Sequence, residues 1–263
     1  MKKYLSFIIW FSIILISCEK YDIPTGYPTT YNKLNTNILT QRLNSFTNRN
    51  QYISSKINEF GFCGFSDTYD DILIGGIPPY QGAFNKSEAI EIVNNFISNN
   101  ETETGIGDPL TITFAQESTT TGFDGAVGWF FKTNNQKVDT IEILNSMIVF
   151  HITNKEVTWC VGNWFPEINV PNEFNINQEK AKSLLNKKEV SHYTIAGEEY
   201  KVTISNIDLD LSKVNLKILP RETENKIELR VCWQINIPGP VYYKMYVDVI
   251  TGEIIGGIPT IIS

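Results

Sequence analysis

The sequence predicts an α+β protein with two tandem units, each a helix packed on an antiparallel β-sheet, preceded by an N-terminal helical segment. Two observations lead to this prediction. Helix-capping residues followed by apolar residues at helical spacing occur twice, near residues 85 and 175. Each helical segment precedes several short runs in which apolar and polar residues alternate, which is typical of half-buried strands. A helix laid across such a sheet buries both apolar surfaces.

The first residues resemble the signal peptide of a bacterial lipoprotein. A lysine pair precedes a nearly unbroken apolar run, residues 4–16, which is too short to span a bilayer. The run closes on Leu-Ile-Ser-Cys, similar to the lipobox in which the cysteine is lipid-modified and the signal is cut just before it. We therefore expect cleavage after residue 17 and acylation of Cys18, palmitate included. The alternative is an ordinary cleaved signal peptide with a chance cysteine.

The charge balance of the chain argues against some classes of binding partner. Without residues 1–17, which carry two of the 22 basic residues, 20 basic residues face 29 acidic ones, a net charge of −9. This excess argues against nucleic acid and against tight association with anionic lipid headgroups. We expect a protein of the cell envelope, anchored by its acyl chains. Glu19 does not indicate retention at an inner membrane, so the outer membrane is predicted, with its face left open.

The remaining chain divides by composition into a tether and three larger segments. Proline and glycine punctuate a polar stretch after Cys18, and apolar residues then recur at three- to five-residue steps up to Gly61, as in one long or two short helices. The predicted divisions are the signal peptide 1–17, the tether 18–30, an N-terminal helical and irregular segment 31–82, the first unit 83–168 and the second unit 169–263.

Both units are predicted to begin with a helix and continue as an antiparallel meander. The first helix begins at Asn85 or Ser87 and ends near Asn99. The predicted strands of the first unit are Leu110–Ala115, Ala126–Thr133, Thr140–Thr153 and Glu156–Val161. Those of the second unit are Val190–Ile195, Tyr200–Ile204, Val214–Leu219, Ile227–Ile237, Val241–Val249 and Glu253–Ile258.

The second unit resembles a PepSY domain. Residues 230–255 read Arg-Val-Cys-Trp-Gln-Ile-Asn-Ile-Pro-Gly-Pro-Val-Tyr-Tyr-Lys-Met-Tyr-Val-Asp-Val-Ile-Thr-Gly-Glu-Ile-Ile. They match an apolar-Trp strand followed by Tyr-x-Val-Asp-x-x-Thr-Gly-Glu in that family. Residues 176–181, Ile-Asn-Gln-Glu-Lys-Ala, are similar to the family's helix start. The resemblance covers about residues 172–258, and the first unit matches only loosely.

The resemblance implies a cystatin-like fold and a non-enzymatic binding role. PepSY units occur in the propeptides of thermolysin-like proteases, so the implied partner is a protein, with restraint or assistance of a secreted peptidase as one role. No His-Glu-x-x-His motif occurs and no protease domain follows Ser263. Inhibition is therefore expected to act in trans. The motif residues Asp248, Gly252 and Glu253 are equally explained as turn and strand-start residues without a ligand.

The sequence offers little for catalysis, metal binding or a cofactor. The cysteines beyond Cys18, namely Cys63, Cys160 and Cys232, form no CxxC pair, and three unpaired structural thiols are the simplest interpretation, with a disulfide left open. Neither His151 nor His192 lies in a nucleophile motif. Acidic residues at 67, 70, 71, 208 and 210 do not have EF-hand spacing. We expect no enzyme activity, no metal and no cofactor.

Three aromatic residues are the candidate partner-binding site. Trp159, Trp164 and Phe165 follow one another where the first unit ends, and clefts between units are favoured binding sites. The alternative is that these rings pack the two units together. The leading functional prediction is an envelope lipoprotein that binds a protein partner, with inhibition or assistance of a secreted peptidase as one role. The alternative is a structural or accessory lipoprotein of a surface assembly.

Overall fold

The computed structural model describes residues 22–54, 56–64, 76, 78–121, 127–193, 199–238 and 242–260. The predicted signal peptide and Cys18 lie outside the described residues. The protein is a mixed α+β structure with few helices and several sheets, which confirms the predicted class.

The described part of the N-terminal segment contains one helix and a short hairpin. Its elements are β1 (Thr29–Asn32), α1 (Thr36–Arg49), β2 (Lys56–Ile57) and β3 (Cys63–Gly64). The Asn35 side chain caps α1 by accepting from the Ile38 amide at 2.9 Å. Helix α1 ends at Arg49, whereas the spacing predicts one long or two short helices up to Gly61. Ile53, in the loop after α1, and Ile57, in β2, are buried instead without helical geometry.

The segment predicted as a tether is partly folded. Tyr27 is buried, and β1 pairs with a strand of the larger sheet, Thr29 lying opposite Leu229. This differs from the prediction of a tether as far as residue 30. The sequence near Pro28 is polar, but its backbone groups pair with a sheet, which composition alone does not reveal.

The middle of the chain forms helix α2 and a four-stranded antiparallel sheet. The elements are α2 (Lys86–Asn99), α3 (Glu101–Thr104), β4 (Phe114–Thr121), β5 (Val127–Thr133), β6 (Lys137–Val138), β7 (Ile141–Ile143), β8 (Ile148–Thr153) and β9 (Glu156–Gly162). The sheet order is β4-β5-β8-β9. Asn85 and Glu88 form a capping box that starts α2, as its sequence predicts. Apolar residues of α2, including Val93, Phe96 and Ile97, lie in one buried cluster with Phe131 and Phe150 of the sheet.

Two predicted strands of this region have different bounds. The strand predicted at Leu110–Ala115 begins only at Phe114, since Pro109–Thr111 is a 3₁₀ turn capped by the Asp108 carboxylate. The strand predicted at Thr140–Thr153 is broken into β7 and β8. Its break is fixed by Ser146, whose hydroxyl accepts from the Gln136 amide and donates to the Ile143 carbonyl.

The C-terminal part builds the larger, seven-stranded sheet. Its elements are α4 (Gln178–Leu185), β10 (Glu189–Tyr193), β11 (Glu199–Thr203), α5 (Asn206–Asp210), β12 (Lys213–Glu222), β13 (Lys226–Ile237), β14 (Tyr242–Asp248) and β15 (Ile254–Thr260). The order is β15-β14-β13-β12-β7-β6, and β1 pairs with the first residues of β13. Strand β7 runs parallel to β12, with Ile143 opposite Ile218. The larger sheet therefore takes strands from all three predicted segments.

Helix α4 covers this sheet near its centre. Ala181 and Leu185 are buried with Ile235 and Val247 in one cluster. The indole nitrogen of Trp233 donates to the Ile176 carbonyl at 2.7 Å and fixes the chain that enters α4. The helix-start residues and the Trp-containing strand, which the sequence singled out separately, are in direct contact.

Candidate functional site

The Asp-x-x-Thr-Gly-Glu residues form a self-contained turn between β14 and β15. Asp248 is fully buried, and its Oδ1 accepts from the amides of Ile250 and Thr251 at 2.8 and 2.9 Å. Gly252 has φ +71°, a left-handed conformation that suits glycine. The interpretation of these residues as turn residues therefore accounts for the contacts of Asp248 Oδ1 and for the conformation of Gly252.

The other oxygen of Asp248 belongs to a buried charged cluster. Oδ2 accepts from the Tyr27 hydroxyl at 2.9 Å and from the Arg230 guanidinium at 3.1 Å. Arg230 also pairs with Glu228 at 2.8 Å and with Glu253 at 3.2 Å. The Arg230 guanidinium therefore offsets part of the charge of three carboxylates. The hydrogen bond from Tyr27 to Asp248 connects the region predicted as a tether to the motif.

The pKa shifts in this cluster favour a structural role. Burial lowers the pKa of Arg230, but Glu228 and Asp248 outweigh it and the pKa is raised. Burial likewise opposes the charge on Glu228, yet Lys226 and Arg230 hold its pKa below the usual value. Both groups are therefore charged at neutral pH and bound to each other, so neither is poised to transfer a proton.

The neighbouring thiol is not activated. Cys232 is buried beside this cluster, and burial together with the Asp248 carboxylate raises the pKa of its thiol well above the usual value. A nucleophilic cysteine requires the opposite shift, because the thiolate is the reactive form.

His151 has a hydroxyl environment without an acid partner. Its Nε2 lies 3.0 Å from the Thr120 hydroxyl, and its Nδ1 lies 3.1 Å from that of Thr158. Burial lowers the pKa of its imidazole. The ring is neutral at pH 7, and no carboxylate among the described residues orients it as in a catalytic triad. The side chain of His192 lies outside the described residues.

The three aromatic candidates occupy different environments. Phe165 is 1% exposed and packs against Tyr31 and Phe62, with ring centroids 5.3 and 5.6 Å away. Its backbone is held by Gln136, whose amide donates to the Phe165 carbonyl at 2.6 Å and accepts from its N–H at 2.9 Å. This ring packs the segments together and cannot contact a partner in this conformation. Phe165 therefore agrees with the alternative interpretation, in which the aromatic rings pack parts of the chain together.

The two tryptophans are more accessible. Trp164 is half-buried, packs on the cluster that contains α2, and lines a groove. Trp159 is also half-buried and lies in β9 opposite His151. A partner-binding role for these two rings stays a prediction.

An open, polar groove lies between the four-stranded sheet and strands β6 and β7 of the larger sheet. Its volume is about 840 Å³, and its walls include Thr113, Ala115, Lys132, Asn134, Lys137 and Trp164. Residues 134–137 line the groove because β6 pairs within the larger sheet and not with the smaller one, which no local sequence pattern indicates.

The charge inside the groove is predominantly positive. Glu142 is bound by Lys217 and by the Asn135 amide, and these hydrogen bonds lower its pKa. Lys132 forms no ion pair within the part of the chain that the structure describes. Lys132 and Lys137 therefore present positive charge that Glu142, already paired, does not fully offset.

The acidic residues considered as metal ligands fall into two groups. Those of the first group, Asp67, Asp70 and Asp71, lie outside the described residues. Asp208 accepts from the amide and hydroxyl of Ser205, which lowers its pKa and caps α5. Within the described ranges, no three His, Cys, Asp or Glu side chains are grouped as metal ligands.

The described ranges contain no helix with the length and apolar character needed to cross a bilayer.

Three solved chains match this structure, among them one bacterial domain. The Bacillus megaterium YpeB C-terminal domain is similar to this chain at 12% identity, over 86% of this chain and 98% of that domain, with a TM-score of 0.33. A likeness this distant carries no argument about function. No protein family profile matches the sequence, and no curated protein matches it. The PepSY resemblance therefore rests on the residues quoted for it.

Proposed function

We propose that this chain is a lipid-anchored protein of the cell envelope that binds an extended segment of a protein partner and performs no chemistry on it. A secreted peptidase, inhibited or assisted by the binding, is the first partner class to test. The observation that carries the proposal is the groove of about 840 Å³ beside β4, an edge strand of the four-stranded sheet.

Strand β4 offers backbone groups to such a segment. Among the described strands it pairs only with β5. Several of its side chains are exposed, including Gln116, Glu117 and Thr119. An edge strand presents N–H and C=O groups that an extended peptide can pair with, while a neighbouring groove accommodates its side chains. Thr113 and Ala115 line the groove from alternate positions of the chain entering β4.

The groove charge favours one kind of segment. Lys132 and Lys137 line it, and its carboxylate, Glu142, is already paired with Lys217. Complementary charge speeds association and selects among partners. The expected segment is therefore extended and carries at least one carboxylate.

The non-enzymatic part of the proposal is supported by the state of the titratable groups. Arg230 pairs with carboxylates, Cys232 is a buried thiol, and both ring nitrogens of His151 face threonine hydroxyls. The proposal includes two tandem cystatin-like units. It is supported by α2 and α4, each of which lies on a sheet whose strands are mainly antiparallel.

Site-specific photo-crosslinking tests this function. A photoreactive side chain is placed at Ala115, which lines the groove, and as a control at Ile207, which is 71% exposed on α5. We expect the Ala115 position to crosslink one envelope or secreted protein, identified by mass spectrometry, and the control position to give none. Lys132→Glu should weaken that crosslink because it reverses a groove charge.

The identity of the captured protein decides between roles. A peptidase whose activity changes when the purified chain is added supports inhibition or assistance. Capture of structural envelope proteins alone, with no effect on peptidase activity, supports the accessory role instead. Equal crosslinking at Ala115 and Ile207 contradicts the proposed groove.

A further inference from the structure

Two of the three cysteines of the folded body lie side by side. Cys63 begins β3 and Cys160 lies in β9. Both are fully buried in the cluster that contains α2. Strand β3 packs directly against β9, and the Cys63 thiol contributes to raising the pKa of the Cys160 thiol. Cys232 lies in β13, next to Asp248 and Arg230.

The backbones that carry the two cysteines are held together by other contacts. The amide and the hydroxyl of Ser54 both donate to the Thr158 carbonyl of β9, at 3.0 and 2.9 Å. In the β2–β3 hairpin, Ile57 lies opposite Cys63. The hairpin is therefore fixed against β9 independently of the sulfur atoms.

We propose that Cys63 and Cys160 form a disulfide bond in the folded protein, while Cys232 stays a thiol. A disulfide requires two cysteines on neighbouring stretches of backbone, and β3, which contains Cys63, packs directly against β9, which contains Cys160. The sequence separation of almost 100 residues conceals this pairing. The bond would join the N-terminal segment covalently to the last strand of the four-stranded sheet.

The oxidation balances with a disulfide as the electron acceptor. The two thiols lose two protons and two electrons as the S–S bond forms, and a second disulfide, such as oxidised glutathione or that of a thiol–disulfide oxidoreductase, is reduced to two thiols. Burial, together with the Cys63 thiol, raises the pKa of the Cys160 thiol. The thiolate therefore forms when the core is open, and we expect oxidation during folding rather than in the closed protein.

Mass spectrometry distinguishes the pairings directly, because trypsin places each of these cysteines in a different peptide. The peptides are residues 57–86, 156–180 and 231–244. The full chain is equilibrated with oxidised and reduced glutathione in urea at its unfolding midpoint and diluted to refold. It is then denatured in an alkylating reagent and digested without reductant.

We expect the 57–86 and 156–180 peptides to be linked and Cys232 to be alkylated. Reduction should lower the thermal midpoint of the refolded protein by about 10 °C, since the bond closes a loop of about 100 residues. Cys232→Ser should keep the linkage and the reduction-sensitive midpoint, whereas Cys63→Ser should lose both. Alkylation of all three cysteines, or a linkage that includes Cys232, would overturn the proposal, and neither result requires a mutant that folds.

Discussion

Replacing Arg230 with methionine tests whether the buried charged cluster stabilises the fold. Methionine keeps most of the apolar stem of arginine and removes the guanidinium. The change leaves Asp248, which is fully buried, without its cation. Removing one partner of a buried ion pair typically costs 3–5 kcal/mol, because the remaining charge is uncompensated.

The retained contacts set the expected cost near the lower end of that range. Asp248 still accepts from the Tyr27 hydroxyl and from two backbone amides, and Glu228 still pairs with Lys226. We therefore expect a loss of about 3 kcal/mol. With a urea m-value of about 3 kcal/mol/M for a chain of this size, the unfolding midpoint falls by about 1 M.

Arg221→Met is a matched control in the same sheet. Arg221 also pairs with Glu253, at 2.8 Å, but the two side chains are 39% and 43% exposed, against 13% for Arg230. Exposed pairs contribute about 0–1 kcal/mol. Tryptophan fluorescence in a urea titration measures both variants.

The two variants should differ by at least about 2 kcal/mol if burial decides the contribution. Combining Arg230→Met with Asp248→Asn should cost less than the two single losses together, by roughly 1–3 kcal/mol, since the charge left behind is removed. Equal destabilisation by Arg230→Met and Arg221→Met, or strict additivity in the double variant, would refute the reasoning.

Three further predictions concern single groups. Gly105→Ala should destabilise the protein by more than the ~1–2 kcal/mol expected for Gly82→Ala. Both glycines have positive φ, but of the two only Gly105 would place a Cβ 1.9 Å from a backbone carbonyl oxygen. Equal urea midpoints would contradict this. The imidazole of His151 should titrate below the ordinary pKa of about 6.5, so the stability that its neutral form contributes is lost as the pH falls below that value. NMR resonances that vanish in His151→Gln identify the ring. A pKa above 6.5 would be evidence against its burial. The interactions that lower the pKa of Glu142 stabilise the fold above about pH 4.3, and this stabilisation is lost as the pH falls through the folded-state pKa. Glu142→Gln should therefore be less stable than the wild type at pH 7 and approach it in acid. A pH-independent difference in urea unfolding would exclude the pairing with Lys217.

The helix starts could be predicted from sequence because they depend on local contacts. Asn85 and Asn177 each accept from an amide three residues later, within a single turn. The same holds for the Asp248 turn, whose hydrogen bonds span two or three residues. Alternating apolar residues likewise indicated most strands to within a few residues, since one buried face imposes that period.

The partners of those elements could not be predicted. Residues 137–143 have the same alternating character as their neighbours, yet β7 pairs with β12 and β6 pairs with β7, so neither joins the smaller sheet. Tyr27 looked like part of a tether, and its hydroxyl reaches Asp248, 221 residues away in sequence. Phe165 is a candidate partner-binding residue by sequence, with packing as the alternative, and it is 1% exposed. Each of these outcomes depends on which distant surface is available, and no local pattern encodes that.

The amino-acid sequence by itself determined the α+β class, the capped helices and the chemistry of the Asp248 turn, because propensities and short-range hydrogen bonds act over a few residues. Only the tertiary structure decided that Arg230 holds three carboxylates, that a positively charged groove lies beside β4, and that Cys63 and Cys160 are neighbours. Long-range pairing and burial set charge states, concavities and sulfur contacts, and they are properties of surfaces brought together by folding.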